Sequence, residues 1–283
     1  VGNYAYLANG YTGLRILDVT DPASINEISV LKTYRALGVH VAGSYAYIAD
    51  DYSGLRVLDI SDPATPLMIG HLDTPGKEAE GITYNDGYVY IADGDAGLSV
   101  IDVSNPQNPV SVSSLNTLGY SYDVEVRDNI ALLADSKSGL MIIDTEDPTN
   151  ISEIISYQLE GGDVRSVDIE GQYAYMAFGN RGIVILNISD PKNPIEVGVF
   201  DTPRSARSID VEGSIAYVGD TEWVRAYDVS NPKAPREIDS YKVPNTVDHI
   251  SVDKGKTYVA GYDGGLLILG LQAEKATMAE QKH

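Results

Sequence analysis

The residues of this chain that could do chemistry form no short motif. They recur as pairs, one in each repeat of the sequence from the second onward, each at the start of a short strand-like run. The pairs are Leu37-Gly38, Glu80-Gly81, Tyr122-Asp123, Arg165-Ser166, Arg207-Ser208 and Asp248-His249. Arg165 and Arg207 carry planar guanidinium forks that match a carboxylate or phosphate in a bidentate way. Glu80, Tyr122, Asp123, Asp248 and His249 add acceptors, a phenol and one imidazole that titrates near neutrality. Brought to one place, these seven side chains would make a polar ligand pocket. They would equally make an ion-pair network that orders water and binds nothing. A catalytic version is a hydrolase or lyase with His249 as base and the two arginines as electrostatic stabilisers.

Other residues are weaker candidates. Asp50, Asp93, Asp135 and Asp220 recur at strand ends, where turn capping is the expected role. Asp93-Gly94-Asp95 has the look of a calcium loop but lacks the spacing, the placed Gly and the distal Glu of an EF-hand, so Ca2+ is left open and no metal site is assigned. His40, His71 and His249 are scattered, and His40 reads as a structural histidine. Asn150 and Asn187 begin Asn-x-Ser sequons, but Asn187 stands at a turn position. Trp223 replaces a recurrent Gly and reads as a packing plug, with a sugar-stacking platform as the alternative. There is no Gly-x-Ser-x-Gly, no His-Glu-x-x-His, and no phosphate or dinucleotide glycine loop. That leaves open an enzyme whose acids, His and Arg come from different repeats.

Composition narrows the partners. The 283 residues carry a formal net charge of −21. Such a surface repels nucleic acid and anionic membranes. The chain has no Cys, hence no disulfide and no thiolate chemistry. No apolar run is long enough to predict membrane insertion. The expected partners are a protein, a glycan or a small anion, and the oligomeric state is left open.

The elements that must position the candidate residues follow from the repeat. Gly13-Leu-Arg-Ile-Leu-Asp-Val-Thr-Asp-Pro22 returns from Gly54, Gly97, Gly139 and Gly182, as a variant from Trp223, and from Gly265 without its Asp-Pro. The spacings are 41, 43, 42, 43, 41 and 42 residues. Each copy divides into short strands rich in Val, Ile, Leu and Tyr. In the second these are 38–43, 45–49, 55–60 and 67–72. Four short antiparallel strands in such a period are one propeller blade. The sequence therefore predicts an all-β, seven-bladed β-propeller. Its first and last blades are incomplete, because only 26 strands can be counted. Residues before Val1 would complete the ring, or it would close through a three-stranded blade. The propeller spans 1–272, and 273–283 is a tail, frayed or a short helix. Ten of the 20 tyrosines lie on second strands, which points to packing between blades. The Asp and Ser of Asp-x-Ser-Asp-Pro are expected to bond turn N–H groups, with Pro ending the third strand.

The Leu-x-Val-Leu-Asp core of these copies resembles the LVIVD repeat of bacterial and archaeal cell-surface proteins. The resemblance covers about Val1 to Leu271. It implies a propeller at the cell surface or outside the cell, and it brings no catalytic motif. The expected function is binding or scaffolding, with the ligand at the channel mouth. The alternatives are an enzyme using the Arg/His/acid cluster and a structural surface-layer tile.

Overall fold

The computed structural model describes residues 1–136, 138–158, 162–244, 246–261 and 265–270. The described residues form 26 strands and no helix. They group into seven antiparallel sheets, the blades of a seven-bladed β-propeller. Blades 2 to 6 have four strands each, and blades 1 and 7 have three. Among the described residues, blade 1 (Tyr4–Ala8, Leu14–Asp18, Asn26–Leu31) has no first strand and blade 7 (Val247–Asp253, Lys256–Gly261, Gly265–Leu269) no fourth. That is the shortfall the strand count predicts. The tail at 273–283 lies outside the described residues. The chain divides into two compact units, Val1–Gln158 with blades 1 to 4 and Leu159–His283 with blades 5 to 7.

Blade 2 shows why the repeat folds this way. Its strands are Gly38–Ala42, Tyr45–Ala49, Leu55–Asp59 and Leu67–Leu72. The second and third strands are buried on both faces, which is why they read as continuous apolar runs. The third strand ends at Asp59, four residues before the proline of Asp62-Pro63. The capping aspartate ends it rather than the proline: Asp59 Oδ1 accepts the Ser61 N–H at 2.9 Å. Asp62 then accepts the Ala64 N–H at 3.0 Å. The serine of the motif donates and does not accept. Asn187 takes the same role in blade 5, accepting the Ser189 N–H at 2.9 Å, so it is a turn residue.

The third and fourth strands of blades 1 to 6 share a register shift at one place, such as Val57/Leu58 in blade 2. The residue left out of the pairing is apolar each time. Ile69, Val112, Val197 and Ile238 turn it onto the cores between blades. The second-strand tyrosines serve the same cores. Tyr47, Tyr90, Tyr175 and Tyr217 are all buried to within 3% exposure, as packing predicts and a ligand stack would not allow.

Neighbouring blades are tied on one side by single bridges from a second-to-third turn to the crossover entering the next blade. They are Gly10 to Ala36, Asp51 to Ala79, and Gly94 to Ser121 in the first unit, and Gly179 to Ala206 in the second. In each unit this turn-and-crossover side carries that unit's candidate residues. The opposite side is built from the Asp-Pro turns, whose proline carbonyls accept Ser29 and Ser113 hydroxyls at 2.6 Å from the preceding blades.

Candidate functional site on the turn-and-crossover side

The side owes its rigidity to buried carboxylates. Asp50, Asp93 and Asp135 are fully buried at the ends of second strands. Each grips the crossover entering its own blade, not its own turn. Asp50 accepts the Tyr34 and Arg35 N–H groups at 3.0 and 2.8 Å. Asp93 accepts the Thr74 hydroxyl, the Gly76 N–H and the Ser99 hydroxyl at 2.7, 2.9 and 3.1 Å. Asp135 accepts the Thr117 and Ser121 hydroxyls at 2.7 and 2.8 Å and the Gly119 N–H at 3.1 Å. A buried carboxylate with three such donors is satisfied in place. Asp93 is thereby engaged within the protein, and among the described residues no three His, Asp or Glu are grouped to hold a metal ion.

Blade 6 varies the device. Asp220 is bonded by Arg225 at 2.6 Å, and Arg225 also reaches Glu237 at 3.1 Å. Burial pushes the Asp220 carboxyl up against the pull of Arg225, and its Oδ1 has no hydrogen bond. Trp223 is half-buried with the Arg225 guanidinium 5.0 Å from its ring centre.

In the first unit, Glu80 accepts the Tyr120 hydroxyl at 2.8 Å, and the Tyr120 ring lies 4.7 Å from that of Tyr122. Burial and the Glu80 charge push the Tyr120 phenol far up. Asp123 is half-buried, accepts the Val124 N–H at 2.9 Å and lies against Gly81 of blade 3. Glu80, Tyr122 and Asp123 therefore belong to one connected region of blades 3 and 4. In the second unit, Arg165 is 3.9 Å from Asp163. Arg207 occupies a bulge at the start of the first strand of blade 6 and has no acidic partner among the described residues. Asp248 occupies the same bulge in blade 7, and His249 follows it; both are exposed.

The sequence reading missed an aromatic cluster on blades 1 and 2. Tyr11 and Tyr52 sit in second-to-third turns, and Tyr34 and Arg35 in the crossover between them. The three tyrosines are 72%, 55% and 52% exposed, in the order Tyr11, Tyr52, Tyr34. The Tyr34 and Tyr52 rings meet edge to face at 5.9 Å. Arg35 lies 5.4 Å from the Tyr11 ring centre and 3.2 Å from Asp51. The signal was present: tyrosine stands at the middle of the turn in these two repeats and not in the next four.

His40 is half-buried 6.2 Å from the Tyr84 ring, and burial pushes its pKa down. It makes no hydrogen bond among the described residues, so packing holds it.

No curated protein is significantly similar in sequence. Among solved structures, a protein from Lactobacillus plantarum aligns with a TM-score of 0.79 at 16% identity, covering 92% of this chain and 89% of its own. The periplasmic gluconolactonase PpgL of Pseudomonas aeruginosa aligns at 0.78 and 12% identity, over 91% and 89% of the two chains. The WD40 propeller of Doa1 aligns at 0.76 and 12%, over 97% and 91%. At these identities the likeness is one of fold alone. The LVIVD repeat model matches six consecutive segments, 1–33, 35–74, 76–117, 118–158, 161–202 and 203–243, leaving only blade 7 unmatched; the chain belongs to the LVIVD-repeat family.

Proposed function

We propose that this protein is a binding propeller whose ligand docks on the turn-and-crossover side, with a sugar ring stacked on the tyrosines of blades 1 and 2. The observation that carries this is the exposure of Tyr11, Tyr34 and Tyr52 on tied loops: the buried Asp50 carboxylate holds the crossover of Tyr34, and the turn of Tyr11 is bridged to that crossover from Gly10 to Ala36. Half-exposed rings on mobile loops would lose much of a contact's free energy to ordering. Rings already fixed do not. The chemistry favours a neutral glycan. Asp51 pairs with Arg35, so the guanidinium is not left as an unpaired anion site. A pyranose offers apolar C–H faces for the rings and hydroxyls for the guanidinium and carboxylate beside them. The buried acids of this side are engaged by backbone and hydroxyl donors, which supports binding over acid–base catalysis. The family resemblance supports a setting at the cell surface.

The test is calorimetric titration of neutral oligosaccharides into the whole protein and into a Tyr11→Ala/Tyr52→Ala variant. At least one sugar should bind the parent, with affinity reduced roughly tenfold or more in the variant, equivalent to about 1.4 kcal/mol. Both substitutions lie on exposed turns, so the melting temperature should hold. Equal affinity in parent and variant, or no sugar bound by either, would overturn the glycan reading.

A further inference from the structure

Two asparagines of the chain begin Asn-x-Ser, and the structure separates them. Asn187 ends the third strand of blade 5, Ile183–Asn187, and pairs with Tyr173 on one side and Ile195 on the other. It is half-buried, and its side-chain oxygen accepts the Ser189 N–H of its own sequon at 2.9 Å. That amide is folded into the turn. Asn150 is exposed in the Asp-Pro turn of blade 4, just ahead of the fourth strand Ser152–Tyr157.

The turn aspartate explains the difference. In blades 2 and 5 the first residue of the Asp-Pro turn holds the side chain of the fourth. Thr65 donates to Asp62 Oδ2 at 2.9 Å, and Asn193 donates to Asp190 Oδ2 at 2.8 Å. In blade 4 the third residue takes the carboxylate instead. Thr149 donates both its N–H and its hydroxyl to Asp147 Oδ1, at 3.0 and 2.7 Å. The Asn150 backbone N–H is fixed to the Asp147 carbonyl at 2.9 Å, while its side-chain amide makes no hydrogen bond among the described residues. Ile151 packs on the core between blades 3 and 4. Side chains alternate along an extended chain, so Asn150 and Ser152 face away from that core, and both are exposed. The amide and the hydroxyl of the sequon are therefore presented together to solvent. The asparagines at the same turn position in blades 3 and 5, Asn108 and Asn193, are followed by Pro109 and Pro194, which a sequon excludes.

We propose that Asn150 is an N-glycosylation site and that Asn187 is not. Nδ2 of Asn150 forms a bond to the anomeric carbon of an oligosaccharide carried on a lipid phosphate. The bond from that carbon to the phosphate oxygen breaks, the lipid phosphate leaves, and one Nδ2 proton is released. Ser152 supplies the hydroxyl that the acceptor motif requires two residues on. The inference rests on the cell-surface reading, because such acceptors belong to exported chains. The glycan stands on the Asp-Pro side of the first unit, opposite the side that carries Tyr11, Tyr34 and Tyr52, and leaves those rings open. A bulky, hydrated group there keeps that side in solvent.

The experiment recovers the whole protein separately from the surface and from the interior of the cells that produce it. The peptides carrying Asn150 and Asn187 are then weighed and fragmented by mass spectrometry. Surface protein should carry the added mass of one glycan on Asn150 and none on Asn187. Asn150→Gln and Ser152→Ala, expressed in the same cells, should each abolish the added mass. Ser152→Thr keeps the hydroxyl and should retain it, and Asn187→Gln should change nothing. All these positions are at turns or the start of an outer strand, so the variants should be recovered in the same fraction as the parent. Bare Asn150 in surface protein, or added mass that survives Ser152→Ala, would overturn the proposal and leave the cell-surface reading standing. Protein found only inside the cells would overturn that reading, and the proposal with it.

Discussion

At the scale of single residues, the side chains that looked most chemical turn out to divide by what they hold. The recurrent aspartates of the second strands clamp backbone, and so do those of the third-strand turns. Hydrogen bonds from Thr20 hold the Asp18 carboxyl below its usual range, and those from Ser61 do the same for Asp59. Asp210 is the opposite case. It lies on the first strand of blade 6, and its Oδ2 accepts the Val252 N–H of blade 7 at 2.7 Å. Burial, then the charge of Asp168 on the neighbouring first strand, pushes its pKa from 3.8 to about 7. A raised carboxyl pKa means that the folded protein holds a proton which the unfolded chain has released. Its contribution is therefore fully present below the unfolded value of 3.8 and is lost as pH rises toward 7. Asp210→Asn keeps an acceptor for Val252 and removes the charge. Relative to the parent, the variant should gain stability between pH 5 and pH 8, on the order of 1–2 kcal/mol after allowing for solvent screening. Denaturant melts at the two pH values measure it. A difference independent of pH would show that Asp210 is ionised throughout.

At the scale of elements, the blade was legible because its causes are local. Alternation, Gly and Asp turn chemistry, and a period near 42 residues are all visible in one repeat. Strand ends predicted for blade 2 miss by one residue at two of the eight boundaries, because Gly43 turns at a positive φ and the Asp59 carboxylate caps the turn that begins at Ile60. What was not legible is how blades approach each other. In Gly198 a side chain would place Cβ 2.1 Å from the Pro232 carbonyl oxygen of the next blade, and Gly70 meets Pro106 in the same way. Serine at the matching place in blades 1 and 3 reaches the proline carbonyl through its hydroxyl instead. Gly198→Ala should therefore force blades 5 and 6 apart and cost about 1–3 kcal/mol, as overpacking does. Gly213→Ala is a less suitable comparison because that residue has a positive φ. Gly270→Ala, with nothing within 4 Å of its Cβ position among the described residues, is the fair control and should be silent. Equal melting temperatures for the Gly198 and Gly270 variants would refute the close-approach argument.

At the scale of the whole molecule, charge is the property read most directly. Self-repulsion at a net charge of −21 opposes the compact state, and salt screens it. Raising sodium chloride from low to moderate concentration should lift the melting temperature by roughly 2–4 °C, the shift expected for about 1 kcal/mol in a domain of this size. A fall in melting temperature over the same range would mean that attractive pairs such as Arg225 with Asp220 outweigh the repulsion. The sequence by itself determined the all-β architecture, the number of blades, the incomplete first and last blades and the sign of the surface, because these depend on periodicity, turn residues and composition. Only the tertiary structure decided what each polar residue does. The Asp50 carboxylate meets a crossover 15 residues back in the chain, and Val252 meets Asp210 from 42 residues on. The first meeting is made within a blade, but the second arises only when one blade is laid against the next, which is also what exposes Tyr11, Tyr34 and Tyr52 together.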